Sequence, residues 1–60
     1  MTDLKQSDVQ TIVNALRAAA DKFREDAATN YLAKNLSVGN KFVRKAAACL
    51  ELADRLEAAE

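Results

Sequence analysis

This chain of 60 residues contains no proline and only one glycine, Gly39. Proline and glycine are the residues that most disfavour a helix interior, whereas alanine, leucine, lysine, arginine and glutamate, which favour it, dominate the sequence. Helix can therefore run through almost the whole chain, with one interruption near its centre. The sequence predicts an all-α fold.

Apolar residues in the first half recur at steps of three and four, the period of one face of a helix. The stripe consists of Val9, Ile12, Val13, Leu16, Ala19, Ala20, Phe23, Ala27 and Tyr31. Ser7 and Gln10 have the spacing of a capping box, and Asp8 lies where a carboxylate complements the helix dipole. We expect the first helix at about 8–34.

The stripe breaks at "LAKNLSVGN", where the chain must turn. Asn35 is suited to the left-handed position of a Schellman-type helix ending, and Ser37 would then cap the second helix. In an alternative interpretation, Gly39 takes the left-handed position and Asn40 is the N-cap residue. The first interpretation predicts a turn at 35–37.

The second helix is expected at about 38–59, and Glu51 and Arg55 form a correctly oriented i, i+4 pair on its solvent side. Its apolar face consists of Phe42, Val43, Ala46, Cys49, Leu50, Ala53 and Leu56, widened by Leu52. Two helices joined by a few residues lie antiparallel. The sequence therefore predicts a single domain, 1–60, that folds as a helical hairpin.

A hairpin of this size has a small core, because many seam positions are alanine. Chains this short usually need disulfides, a metal or oligomerisation for stability. One cysteine, Cys49, and no histidine leave neither an intrachain disulfide nor a tetrahedral zinc site. Cys49 is interpreted as an inert thiol on the apolar face, and no cofactor is expected. Self-association remains, so we expect a homo-oligomer, most simply a dimeric four-helix bundle.

The charges are segregated along the chain, although the formal net charge is zero. Between Ala27 and Leu50 there are four bases and no acid, the bases being Lys34, Lys41, Arg44 and Lys45. Zero net charge argues against duplex nucleic acid as a partner. Cations at a helix start oppose the helix dipole, and a local conflict of this kind indicates an interaction.

Two interpretations explain the basic turn. In the first it binds an anion, since backbone N–H groups at a helix start bind phosphate and Gly39 lets a ligand approach the backbone. The predicted site residues are Tyr31, Ser37, Gly39, Asn40, Lys41, Phe42, Arg44 and Lys45. In the second the turn contacts acids of another subunit, namely Asp3, Asp8, Asp54, Glu57 or Glu60.

The length and the two-helix pattern resemble those of small plasmid-encoded RNA-binding hairpins that dimerise into four-helix bundles. The segment "VGNKFVRKAAA", with its glycine, aromatic residue and bases, is similar to sites in short phage proteins that oppose host defence, some of which oligomerise and sequester signalling nucleotides. The second resemblance implies a small anionic nucleotide as ligand. Without histidine, a metal constellation or a nucleophile beside a base, no enzymatic activity is expected.

We therefore expect a non-enzymatic oligomer that binds or sequesters a phosphate-bearing ligand, with nucleotides preferred. The alternative is an inhibitor or adaptor that presents a helix face to a host protein. No run of about 20 apolar residues is present to span a bilayer, and "MTDLKQSD" lacks the apolar core of a signal peptide. A cytoplasmic protein without a membrane partner is expected.

Overall fold

The structure is a computed structural model that describes residues 5–59. It contains two α-helices, α1 (Gln6–Leu32) and α2 (Leu36–Ala58), which pack along each other as a hairpin. The chain is elongated, with dimensions of 45 × 18 × 13 Å. The predicted all-α hairpin is confirmed, although both helices begin two residues earlier than the sequence predicts.

The start of α1 differs from the prediction because Lys5, rather than Ser7, is its N-cap residue. The backbone N–H of Lys5 donates to the Asp8 carboxylate over 3.4 Å, which links Asp8 to the start of the helix. Ser7 lies inside the helix, where its carbonyl accepts a hydrogen bond from the Thr11 hydroxyl. The predicted capping box of Ser7 and Gln10 is therefore wrong. Asp8 does lie in the first turn, where a carboxylate complements the dipole.

A Schellman motif ends α1, with Lys34 in the left-handed conformation at a φ of 64°. The Lys34 N–H donates to the Tyr31 carbonyl over 3.0 Å, and the Asn35 N–H donates to the Asn30 carbonyl over 2.7 Å. These two bonds define the motif. The predicted type of helix ending is thus present, but Lys34 takes the left-handed position predicted for Asn35.

Asn35 instead begins α2 as its N-cap residue. Its carbonyl accepts the Gly39 N–H over 2.9 Å, so that Asn35 belongs to the end of one helix and the start of the next. Caps at Ser37 and at Asn40 are therefore both wrong. The physical reason is the short connection: residues 33–35 complete the reversal, and the helix has already formed where those caps were predicted.

Small residues form the seam between the helices. Buried residues recur every seven positions in each helix. They are Val13, Ala20 and Ala27 on α1 and Gly39, Ala46 and Ala53 on α2. This spacing keeps side chains on one side of a helix. Because five of the six are alanine or glycine, the backbones can approach closely, but each residue buries little apolar area. At the end furthest from the turn, Leu16 and Leu56 pack against a cluster of Val9, Val13 and Ala53.

Two flanks of different character border the seam. What we call the apolar flank consists of Ile12, Leu16, Ala19 and Phe23 of α1 and Val38, Phe42, Lys45, Cys49, Leu52 and Leu56 of α2. The polar flank, four residues beyond the seam positions, consists of Arg17, Arg24, Tyr31, Val43, Leu50 and Glu57. An ion pair between Arg17 and Glu57 joins the helices on the polar flank. On the apolar flank the rings of Phe23 and Phe42 are stacked with centroids 6.1 Å apart.

Candidate ligand site at the start of α2

The first turn of α2 offers backbone N–H groups that the helix itself does not use. Its first intrahelical hydrogen bond runs from the Gly39 N–H to the Asn35 carbonyl, so the N–H groups of residues 36–38 have no acceptor within the helix. Asn35 makes no side-chain cap hydrogen bond, and no acid lies in this turn. Unused N–H groups and the positive end of the helix dipole together favour an anion.

Three of the eight predicted site residues, Tyr31, Gly39 and Asn40, pack against one another on the side of the polar flank. A Cβ atom at Gly39 would lie 2.6 and 2.7 Å from two carbons of the Tyr31 ring, so the ring covers the backbone of this glycine. The Tyr31 hydroxyl donates to the side-chain oxygen of Asn40 over 2.5 Å. Gly39 thus admits the Tyr31 ring at the position where the sequence predicted a ligand.

Phe42 and Lys45, two further predicted site residues, lie on the apolar flank with Phe23. The Lys45 ammonium is 5.5 Å from the centre of the Phe42 ring and 5.9 Å from that of Phe23, within the range of a cation–π interaction. From the sequence, Phe23 was predicted only as part of the apolar stripe of the first helix. Its spacing from the seam could have predicted its place on the apolar flank. Phe23 follows the seam residue Ala20 by three residues, as Phe42 follows Gly39.

The remaining three, Ser37, Lys41 and Arg44, lie at steps of four and three on α2 and are all exposed. Within residues 5–59 neither Lys41 nor Arg44 forms an ion pair. The ion pairs of this part of the chain are Arg17–Glu57, Lys22–Asp26 and Glu51–Arg55. The last confirms the predicted i, i+4 pair, with a nitrogen–oxygen distance of 4.0 Å.

The structure therefore divides the eight residues into three groups that face different directions around α2. A helix turns by about 100° per residue, so neighbours in sequence such as Asn40, Lys41 and Phe42 cannot converge on one ligand. The group that is open to a ligand combines Ser37, Lys41 and Arg44 with the unused N–H groups. Its chemistry, backbone donors and a serine hydroxyl in the first turn followed by two cations in the next turns, suits the oxygens of a phosphate.

The acids predicted as alternative partners of these bases lie in different places. Asp3 and Glu60 fall outside the described residues, and Glu57 pairs with Arg17 of its own chain. Asp8 and Asp54 are exposed near the end of the hairpin opposite the turn. A contact between the basic turn and these acids therefore needs a second copy of the chain.

Within the described part of the chain, no group of three or more His, Cys, Asp or Glu side chains could hold a metal ion. Neither helix of residues 5–59 has the length and apolar character to cross a membrane. Comparison with known proteins gives no relative: no protein-family model matches the chain, and no curated protein or solved structure is significantly similar to it.

Proposed function

We propose that the chain is a non-enzymatic, self-associating helical protein that binds a phosphate-bearing ligand, preferably a nucleotide, at the start of α2. The phosphate would accept hydrogen bonds from the N–H groups of residues 36–38, and Lys41 and Arg44 would supply positive charge. Sequestration of a signalling nucleotide in the cytoplasm, as in the phage anti-defence proteins that "VGNKFVRKAAA" resembles, is the corresponding biological role.

One observation carries this proposal: two exposed cations, Lys41 and Arg44, stand near an uncapped helix start with no acid in the first turn and no ion-pair partner within residues 5–59. A cation in the first turn of a helix opposes the dipole by about 0.3–1 kcal/mol, and the effect is weaker for Lys41 and Arg44, which are the sixth and ninth residues of α2. A bound phosphate reverses the sign of this effect, because it is attracted by both the dipole and the cations.

Thermal unfolding in the presence of nucleotides tests the proposal. A panel of linear and cyclic nucleotides, with inorganic phosphate as reference, is added to the wild type and the melting temperature is measured. A ligand at a hundredfold excess over its Kd stabilises the folded state by about 2.7 kcal/mol. Arg44→Ala should remove most of this shift, and Arg44→Lys should restore only part of it, because lysine lacks the planar fork of arginine.

Arg55→Ala is the matched control, since Arg55 is an exposed arginine near the far end of the same helix. It removes the same charge from the protein and should leave the nucleotide shift unchanged. If Arg44→Ala and Arg55→Ala reduced the nucleotide-induced shift in melting temperature equally, the nucleotide would be responding only to the net charge of the protein. That result, or the absence of any shift in the wild type, would refute the proposed site.

A second candidate function, an adaptor or inhibitor that binds a host protein, is favoured by two leucines at the turn. Leu32 is 87% exposed and Leu36 is 62% exposed. Exposed apolar residues that lie together favour a protein contact. The double variant Leu32→Gln, Leu36→Gln should abolish recovery of a stoichiometric host protein while leaving the nucleotide shift unchanged. Failure of the wild type to recover any such protein would exclude this function.

A further inference from the structure

A second apolar stripe runs along α2 beside the seam. Its positions are 38, 42, 45, 49, 52 and 56, which alternate in steps of four and three and hold five apolar residues and Lys45. On α1, positions 12, 16, 19 and 23 have the same spacing and are all apolar. A helix in an isolated hairpin needs one apolar stripe, whereas a helix in a four-helix bundle packs against two neighbours and needs a broader face.

The two stripes form the apolar flank, and contacts within the chain show that they lie on the same side of the hairpin. Phe23 of α1 stacks on Phe42 of α2, and Lys45 lies over both rings. Near the other end, Leu16 and Leu56 pack on the same core cluster. The flank therefore extends along most of the length of the hairpin.

The hairpin alone leaves this flank partly in water. Ile12 is 38% exposed and Leu52 is 41% exposed, while Leu16, Phe23, Phe42 and Leu56 are half-buried. The Lys45 ammonium lies over the aromatic pair, so the alkyl part of this side chain adds to the apolar surface of the flank. A contiguous apolar surface of this kind favours contact with another apolar surface.

The charge distribution favours a second copy of the chain as the partner. Residues 21–46, the half nearer the turn, carry six bases and three acids, whereas the described residues on either side of this range carry three bases and four acids. When two copies pack antiparallel, the basic half of one lies against the acidic half of the other. Charge complementarity of this kind selects partner and orientation.

We infer that the apolar flank is the interface of a symmetric homodimer, in which the same flank of a second, antiparallel copy completes a four-helix bundle. A two-fold axis makes such an interface self-complementary, with the same residues on both sides. The inference specifies the surface for the self-association proposed above, and it is independent of the ligand.

Two matched lysine substitutions on α2 test the interface by sedimentation equilibrium. Leu52, on the apolar flank, and Val43, on the polar flank, are 41% and 44% exposed, so a lysine is solvated at either position in the hairpin alone. The wild type should have twice the chain mass of 6.5 kDa at micromolar concentration. Leu52→Lys should raise the dimer dissociation constant at least about tenfold, because its ammonium would be desolvated in the interface, whereas Val43→Lys should leave it nearly unchanged.

Cys49 provides a second measurement that needs no destabilising substitution. It is half-buried on the apolar flank, so its reaction with a thiol reagent should slow as the protein concentration rises and the dimer forms. As control, Ala48→Cys in a Cys49→Ser background places the thiol at an exposed neighbouring position. The reaction rate of this control should not depend on protein concentration.

Several results would overturn the inference. One is a measured mass of a single chain for the wild type, which would mean that the apolar flank does not bind a second copy. Others are an equal effect of Val43→Lys and Leu52→Lys, and a Cys49 reaction rate independent of concentration. A monomeric wild type that still shows the Arg44-dependent nucleotide shift would refute the dimer alone, whereas a dimer without that shift would refute the ligand alone.

Discussion

The ring of Tyr31 lies on the backbone of Gly39, so close that a Cβ atom there would be 2.6 Å from a ring carbon. Two effects of a methyl group at Gly39 therefore oppose each other. Alanine is favoured over glycine inside a helix by about 1 kcal/mol. Displacement of the ring has the opposite effect, and overpacking of this kind costs about 1–3 kcal/mol.

We expect overpacking to win, so that Gly39→Ala lowers the free energy of unfolding by about 1 kcal/mol. In a Tyr31→Ala background the ring is absent and the same change should instead raise it by about 1 kcal/mol. Denaturant unfolding of the four proteins at one concentration gives both values. An increase in stability in both backgrounds would show that the ring does not rest on Gly39.

Lys34 provides a second prediction, because it is the one non-glycine residue of positive φ in residues 5–59. A left-handed conformation costs an L-residue about 1–2 kcal/mol. Glycine avoids this strain but loses more conformational entropy on folding, which offsets part of the gain. Lys34→Gly should therefore raise the free energy of unfolding by about 0.5–1 kcal/mol. Lys34→Ala, which removes the charge and keeps the strain, should show no such gain in chemical denaturation.

The difference between the predicted and observed turns has a local cause. The apolar period was enough to predict the two helices, because it repeats along each helix and is still recognised when the assigned helix ends are wrong by one or two residues. The exact turn depends on which residue takes the left-handed conformation, and asparagine is a better candidate than lysine by intrinsic preference. The packing of Tyr31 on Gly39 fixes where α2 meets α1, and sequence spacing does not show this contact.

The small residues of the seam lead to a third prediction. Ala46 is 3% exposed, whereas its neighbour Ala47 is exposed. Ala46→Leu should force the helices apart and lower the free energy of unfolding by about 1–3 kcal/mol. Ala47→Leu adds the same atoms at a surface position and should change it by less than about 0.5 kcal/mol. Equal effects of the two variants, measured by chemical denaturation, would contradict a close-packed seam.

The candidate site was less predictable than the fold. Sequence proximity brought Gly39, Asn40, Lys41 and Phe42 together, but the rotation of the helix separates them. Gly39 lies in the seam, Asn40 on the side of the polar flank, Lys41 in solvent and Phe42 on the apolar flank. Apolar character alone also could not divide the apolar face of the second helix into seam and flank residues, since Ala46 and Leu52 are both apolar. Side-chain size carries that distinction: the smallest residues recur every seven positions at 39, 46 and 53.

The ion pair between Arg17 and Glu57 gives the last prediction. It joins α1 to α2 within one chain, with the side chains 46% and 37% exposed. Because exposed pairs are weak, a double-mutant cycle with Arg17→Ala and Glu57→Gln should give a coupling free energy of about 0.2–1 kcal/mol. Added salt should reduce it, since exposed charges are screened. A matched cycle with Arg44→Ala and Glu57→Gln should give no coupling, because Glu57 has its partner within the chain. Coupling of Glu57 to Arg44 rather than to Arg17 would show that the basic turn contacts the acids of a second subunit and that the intrachain pair does not form in solution.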